Sequence, residues 1–333
     1  MKNNFLKPLN VVIAIVFIFF LSVYVFYSSS GSSQEVSIEI PSGAGFNTVA
    51  KVLKEKGAIG DSRLFKLYAL SRGDLNNIKP GEYLFKEGTS KKAILDAITK
   101  GDVLLYKITI PEGTNIYQIA DILSQELKVD KQEFLKKAKD HDLMKQWQIE
   151  GDSVEGYLYP ETYYFARGSK SQQILDKMLI TFNEEYDKNK VEIETKGKKL
   201  GLTRHQIITF ASIIEKETGL AGERELISAV FHNRIKRGMK FQSDPTTIYG
   251  IFERYHGNLT KKDLLENTPY NTYRIKGLPP GPIASPGMES IKAVVNPSDV
   301  NYLYFVAKHD KSHVFSNNLV EHNANVNKYQ IQR

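Results

Sequence analysis

Two copies of one pattern, set 70 residues apart, restrict the fold of this chain more than any other feature. Ile38-Glu39-Ile40-Pro41-Ser42-Gly43 matches Ile108-Thr109-Ile110-Pro111-Glu112-Gly113, and in the same register Ala50 matches Ala120 and Leu53 matches Leu123. Alternating apolar residues, a Pro-x-Gly turn and then apolar residues at helical spacing (Val49, Val52, Leu53; Ile116, Ile119, Ala120, Leu123) predict a strand, a turn and an amphipathic helix in each copy. A second helix-like stretch and a Gly/Tyr-rich strand follow, Gly81–Phe85 in the first copy and Gly156–Tyr159 in the second. The pattern predicts small βααβ modules. Such a module serves equally well as a polysaccharide binder or as a folding unit without a ligand.

Val11–Tyr27 (VVIAIVFIFFLSVYVFY) is apolar but for Ser22, follows Lys2 and Lys7, and precedes the first later charge at Glu35. Read as a transmembrane helix, it places the N-terminus in the cytoplasm by the positive-inside rule. The alternative, a cleaved signal peptide, is disfavoured by the length of the run and the absence of an A-x-A site. The resulting expectation is a cytoplasmic tail over 1–10, a transmembrane helix over 11–27 and a linker over 28–35. The first repeat module then covers 36–105, the second 106–166, and a helix-rich domain 167–333. The expected fold class is α+β.

The absence of Cys removes disulfides, thiolate nucleophiles, Cys-ligated zinc and a Cys-anchored lipid. The formal charge of +7 includes Lys2 and Lys7 ahead of the apolar run, and the rest is a mild bias. No block of like charge or Arg-rich arm marks a nucleic-acid binder.

Carboxylates carry the remaining chemistry. Thr203-x-x-Gln206 is a capping box, so a helix begins near Arg204, with Ile207, Phe210, Ala211 and Ile214 as its stripe and Gly219 as its stop. Glu215 and Glu217 fall in its last turns on opposite sides of the stripe. Glu217 stacks over Phe210, Ile213 and Ile214, whereas Glu215 is expected to be wetter. A carboxyl beside apolar groups at a helix C-terminus has a raised pKa, as a general acid requires, although two surface residues on an exposed helix end would read the same way. A second helix is expected over Glu223–Arg237. Asp244, before Pro245, reads as a helix N-cap. Tyr270-Asn271-Thr272-Tyr273 and Gly277–Pro282 form Tyr/Asn- and Pro/Gly-rich loops, suited to sugar binding or to structure alone. His309 and His313 stand four apart without an acidic third ligand at a telling spacing, so no metal site is expected.

Taken together, IIEKET (213–218), SDPTTIYG (243–250), YNTY (270–273), GLPPGPI (277–283) and YLYFVA (302–307) resemble the YceG-like family of endolytic murein transglycosylases. The resemblance covers essentially the whole chain, including the N-terminal run, the LysM-like repeats and EGYLYPETY (155–163). It implies a lytic transglycosylase that cuts nascent peptidoglycan strands internally and leaves 1,6-anhydroMurNAc ends, without a cofactor or metal. The family's catalytic Glu falls on Glu217. Gln242, Asp244, Asn271 and Tyr273 are assigned from residue type and motif position to hold the sugar. Membrane peptidoglycan synthases are the implied partners, and a single-pass place in the bacterial cytoplasmic membrane, with the catalytic part outside, is the implied location. A hydrolytic muramidase and a non-catalytic peptidoglycan-binding anchor remain the alternatives.

Overall fold

The computed structural model describes residues 8–28 and 31–331. It is an α+β structure that divides into two compact units, one formed by residues 1–106 with 164–168 and the other by 107–163 with 169–333.

In the first unit, α1 (Pro8–Ser28) precedes β1 (Val36–Ile40), α2 (Phe46–Glu55), α3 (Ser62–Arg72), β2 (Gly81–Phe85) and α4 (Lys91–Lys100). β1 and β2 pair antiparallel, from Val36 opposite Phe85 to Ile40 opposite Gly81. Val36, Ile38 and Ile40 are buried while the residues between them are exposed, as the two-residue period of a strand requires. Phe46, Val49, Ala50 and Leu53 bury one face of α2 against them. The Asp61 carboxylate caps α3 by accepting from the N–H groups of Arg63 and Leu64. The first repeat is thus a β-α-α-β unit.

The N-terminal run requires a correction. α1 is helical over Pro8–Ser28. Among the described residues no helix is long and apolar enough to cross a membrane. The expected transmembrane helix over 11–27, and the single-pass membrane location built on it, are corrected accordingly.

The second repeat opens with β3 (Leu105–Thr109), which pairs with β4 (Thr162–Ala166) across α5 (Ile116–Leu127), α6 (Lys131–Ala138) and α7 (His141–Gln146). It therefore contains three helices, and its return strand lies beyond Gly156–Tyr159. That segment is a turn because Gly156 sits at φ +81° and because the Glu155 side chain is drawn inward. The buried Glu155 carboxyl accepts from the N–H of Ile116 at 2.9 Å, filling an orphan position at the start of α5. Burial raises its pKa to about 7. Lys216 donates to the Gly113 carbonyl at 3.0 Å, and the Gly113 N–H donates to the Ser285 carbonyl at 2.9 Å. The turn of the second repeat is in this way stitched to the helical core of its unit.

That core comprises α8 (Ser171–Asp187), α9 (Lys190–Lys199), α10 (Arg204–Glu217), α11 (Arg224–Lys236), α12 (Asp244–Gly250), α13 (Lys261–Leu265) and α14 (Met288–Val295). The antiparallel pair β5 (Tyr304–Ala307) and β6 (His313–Ser316) and then α15 (Leu319–Val326) complete it. The Thr203–Gln206 capping box is present in both directions. Residues 207 to 214 of α10 are all buried, because α9, α11, α12 and α14 pack around it. The helix is enclosed rather than amphipathic, so the stripe drawn from its sequence covers only part of its apolar contact. It ends without a left-handed glycine: Thr218 is extended at φ −146°. Residues 190–199 are helical in α9, with Ile193 buried.

The motifs around α10 hold it in place. His205 bonds the Tyr157 hydroxyl through Nδ1 at 3.0 Å and the Pro280 carbonyl through Nε2 at 2.9 Å. The Ser212 hydroxyl accepts from the Ile283 N–H at 3.0 Å. A Cβ on Gly156 would come within 2.5 Å of Pro282 Cβ and 2.6 Å of its Cγ, at a φ that side chains rarely adopt. Gly156→Ala is therefore expected to cost about 3 kcal/mol of stability. Gly201→Ala, also at positive φ but with open space around it, is expected to cost about 1 kcal/mol. Urea unfolding of the two variants checks the difference.

Candidate active site

Glu217 is the last residue of α10 and faces a cleft of about 560 Å³ in the second unit. The Ser243 hydroxyl donates to Glu217 Oε1 at 2.5 Å. Ser243 is itself fixed by its N–H, which donates to Thr272 Oγ1 at 3.0 Å. Burial raises the Glu217 pKa to about 7. The Ser243 bond opposes this rise, the nearby Asp244 charge adds to it, and Arg234 moderates it.

Glu215 is not the wetter of the pair. Its carboxylate is buried, lies 3.5 Å from Arg224 Nη2 and accepts from the Gly287 N–H at 2.9 Å. The sequence shows neither partner near it, since Arg224 arrives from α11 and Gly287 from the start of α14. Glu215 is a paired structural carboxylate, and Glu217 is the one open to the cleft.

Three of the four expected sugar-holding residues line the cleft: Gln242, Asp244 and Tyr273. The Tyr273 hydroxyl donates to Asp244 Oδ1 at 2.7 Å, which fixes both side chains. Asp244 is the first residue of α12 and not its cap, since Ser243 occupies the N-cap position. Gln242 sits at φ +54°, an unfavourable backbone region for a residue with a Cβ, held there in part by its N–H bond to the Thr272 carbonyl at 3.2 Å.

Asn271 stands apart from these three. It is 0% exposed and lies outside the cleft. Its amide donates to the carbonyls of Asp263, Leu264 and Glu266, at 3.2, 3.1 and 2.7 Å. Its oxygen accepts from the Thr247 hydroxyl at 3.1 Å and the Tyr273 N–H at 2.9 Å. With every donor and acceptor engaged, nothing is left for a ligand. Asn271 instead fixes the loop that delivers Tyr273.

Several cleft residues escaped the sequence reading. Arg234, which no sequence motif singled out, is buried. It donates to the carbonyls of Leu303 at 2.7 Å, Phe241 at 2.6 Å and Lys240 at 3.1 Å, and reaches Gln242 Oε1 at 3.4 Å. Its guanidinium also lies 5.2 Å from the centre of the Tyr304 ring. One cation thus ties α11 to the 240–242 turn and to β5. Ser243 stood in a quoted motif, but nothing in the spacing aimed it at Glu217. His313 was weighed only as a metal ligand beside His309, yet it lines the cleft and pairs with Glu223. Among the described residues no cluster of three or more His, Asp or Glu is arranged to hold a metal ion.

A carboxyl whose pKa burial raises to about 7 thus faces a polar cleft. The chain belongs to the YceG-like family, which matches residues 38–328. It is 34% identical over 321 residues to the endolytic murein transglycosylase of Bacillus subtilis strain 168, covering 90% of this chain and 86% of that protein. It is 29% identical over 329 residues to the endolytic murein transglycosylase of Streptococcus pneumoniae serotype 2 strain D39, covering 89% of this chain but 59% of that longer protein. The crystal structure of a YceG-like protein from Listeria monocytogenes superposes with a TM-score of 0.59 at 32% identity, covering 88% of this chain and 99% of that one.

Asn271→Ala removes five hydrogen bonds and strands buried carbonyls, so a loss of about 3 kcal/mol or more in unfolding free energy is expected. Chemical denaturation measures it. Asp244→Asn, at an exposed cleft position, should leave the unfolding free energy within about 0.5 kcal/mol of the parent.

Proposed function

We propose that this protein is an endolytic murein transglycosylase and that Glu217 is both its general acid and its general base. The observation that carries the reading is the Glu217 carboxyl, desolvated to a pKa of about 7 at the cleft and oriented by Ser243. The names of the bacillar and pneumococcal relatives supply the substrate class, peptidoglycan, and the internal position of the cut.

A carboxyl that is still protonated near neutrality donates to the glycosidic oxygen as it leaves C1 of MurNAc. The resulting carboxylate accepts the proton of the same sugar's C6 hydroxyl while O6 bonds to C1. The C1–O bond to the leaving sugar breaks, a 1,6-anhydro ring closes, and no water is consumed. Because the nucleophile belongs to the substrate, the site has to bend the ring and exclude water rather than deliver a second reactant. Gln242, Asp244 and Tyr273 hold the sugar in this scheme. The Tyr273–Asp244 bond presets two of them, and the left-handed backbone at Gln242 sets the third. Synthases as partners rest on the family resemblance alone.

Incubation of the full chain with peptidoglycan, followed by mass analysis, tests the reading. Anhydro ends, one water lighter than reducing ends, are expected within the strands. Reducing ends would instead make the protein a hydrolytic muramidase, and intact strands a binding module. Glu217→Gln should fold normally and lose about a thousandfold or more in turnover. Glu217 works as an acid in its protonated form, so activity should fall as pH rises through about 7.

A further inference from the structure

The cleft contains a second oriented side chain that the acid–base cycle of Glu217 does not use. His313, the first residue of β6, lines it together with Glu217. Its Nδ1 lies 2.7 Å from Glu223 Oε2, and its backbone N–H donates to Glu223 Oε1 at 2.8 Å. Thr218, next in the chain after Glu217, donates its hydroxyl to the same Glu223 Oε2 at 3.2 Å. Burial pushes the Glu223 carboxyl up, but the bonds from the His313 ring and backbone outweigh it and keep the group below the usual range.

An ionised carboxylate can only accept, so in the neutral ring the proton resides on Nδ1. Nε2 then carries the lone pair. It has no hydrogen-bond partner among the described residues. The Phe305 ring meets the imidazole edge-on at 5.4 Å and 89°, which fixes the plane of the ring. The imidazole is therefore held from both sides, at a wall of the cleft, with one acceptor unspent.

We propose that His313 is a substrate-contacting residue whose Nε2 accepts a hydrogen bond from a hydroxyl or N-acetyl N–H of the sugar bound beside Glu217, with Glu223 as its positioning residue. This rests on the reading of the cleft as a glycan site. No bond or proton changes hands in the contact. Through Thr218 it also ties the position of the sugar to the end of α10, where the acid sits. Glu217, Arg234, Asp244, Tyr304 and His322 line the same cleft, and Glu223 backs the ring.

The test is kcat/KM for the full chain and its variants on uncross-linked glycan strands. His313→Ala is expected to lose about tenfold or more with its unfolding midpoint retained. His313→Gln keeps a side-chain acceptor, and is expected to recover part of the activity. Wild-type turnover in folded His313→Ala, or a folded His313→Gln no more active than His313→Ala, overturns the proposal. A second measurement applies even if these variants do not fold. In ¹⁵N-histidine-labelled Glu217→Gln protein, the Nε2 resonance of His313 should shift when strands bind, and strand binding that leaves it unmoved overturns the proposal. Turnover retained by Glu217→Gln but lost by His313→Ala would remove the acid assignment and leave this contact standing.

Discussion

The burial of α10 on every side sets the chemistry of its last residue. Four helices pack around residues 207 to 214, so the chain leaves the core at Glu217 and the carboxyl emerges from protein rather than from water. An exposed glutamate would be ionised at neutral pH and useless as an acid. Desolvation keeps this one protonated to about pH 7, and the Ser243 hydroxyl supplies enough polarity to aim it. The same enclosure explains why Thr218 turns extended at once: the next residues must reach Glu223 and open α11 rather than continue a helix.

Around that carboxyl the cleft is built from segments distant in sequence and joined by hydrogen bonds to backbone carbonyls. Arg234 joins α11 to the 240–242 turn and to Leu303. Asn271 joins the α13 exit to Tyr273 and Thr247, and the Thr246 and Thr272 hydroxyls meet at 2.8 Å. A Cβ on Gly250 would stand 2.5 Å from Thr268 Oγ1, so this packing also reaches the far end of α12. Buried polar groups of this kind are costly unless fully satisfied, and Asn271 and Thr246 are. They give the Asp244–Tyr273 pair a fixed frame.

Local rules were readable where the cause is local. The capping box at Thr203, the β1–α2 alternation, the return strand at Gly81–Phe85 and the stop of α11 before Gly238 all follow from residues within one turn or one pleat of each other. Glu217 was favoured over Glu215 by its apolar neighbours on the same helix. The errors arose where a distant residue decides. Glu215 was expected to be wet because Arg224 and the Gly287 N–H are invisible to helical periodicity. Asn271 was placed on a sugar because an amide on a loop gives no sign that three carbonyls will claim it. The second repeat was given one helix too few and its return strand too early. There, Glu155 turns inward to the start of α5, and Gly156 packs against Pro282.

The sequence by itself determined the repeat, the order of helices and strands in the first module, the absence of thiol chemistry, the capped helix that ends in a carboxylate and, through its motifs, the family. Those follow from short-range sterics, periodicity and composition, which act along the chain. Only the tertiary structure decided which carboxylate is paired and which is free to act, that Arg234 and Asn271 are internal clamps, and that Ser243 and His313 belong to the cleft. Desolvation and hydrogen-bond pairing depend on what comes near in space, and the partners range from Glu266, 5 residues from Asn271, to Glu223, 90 from His313.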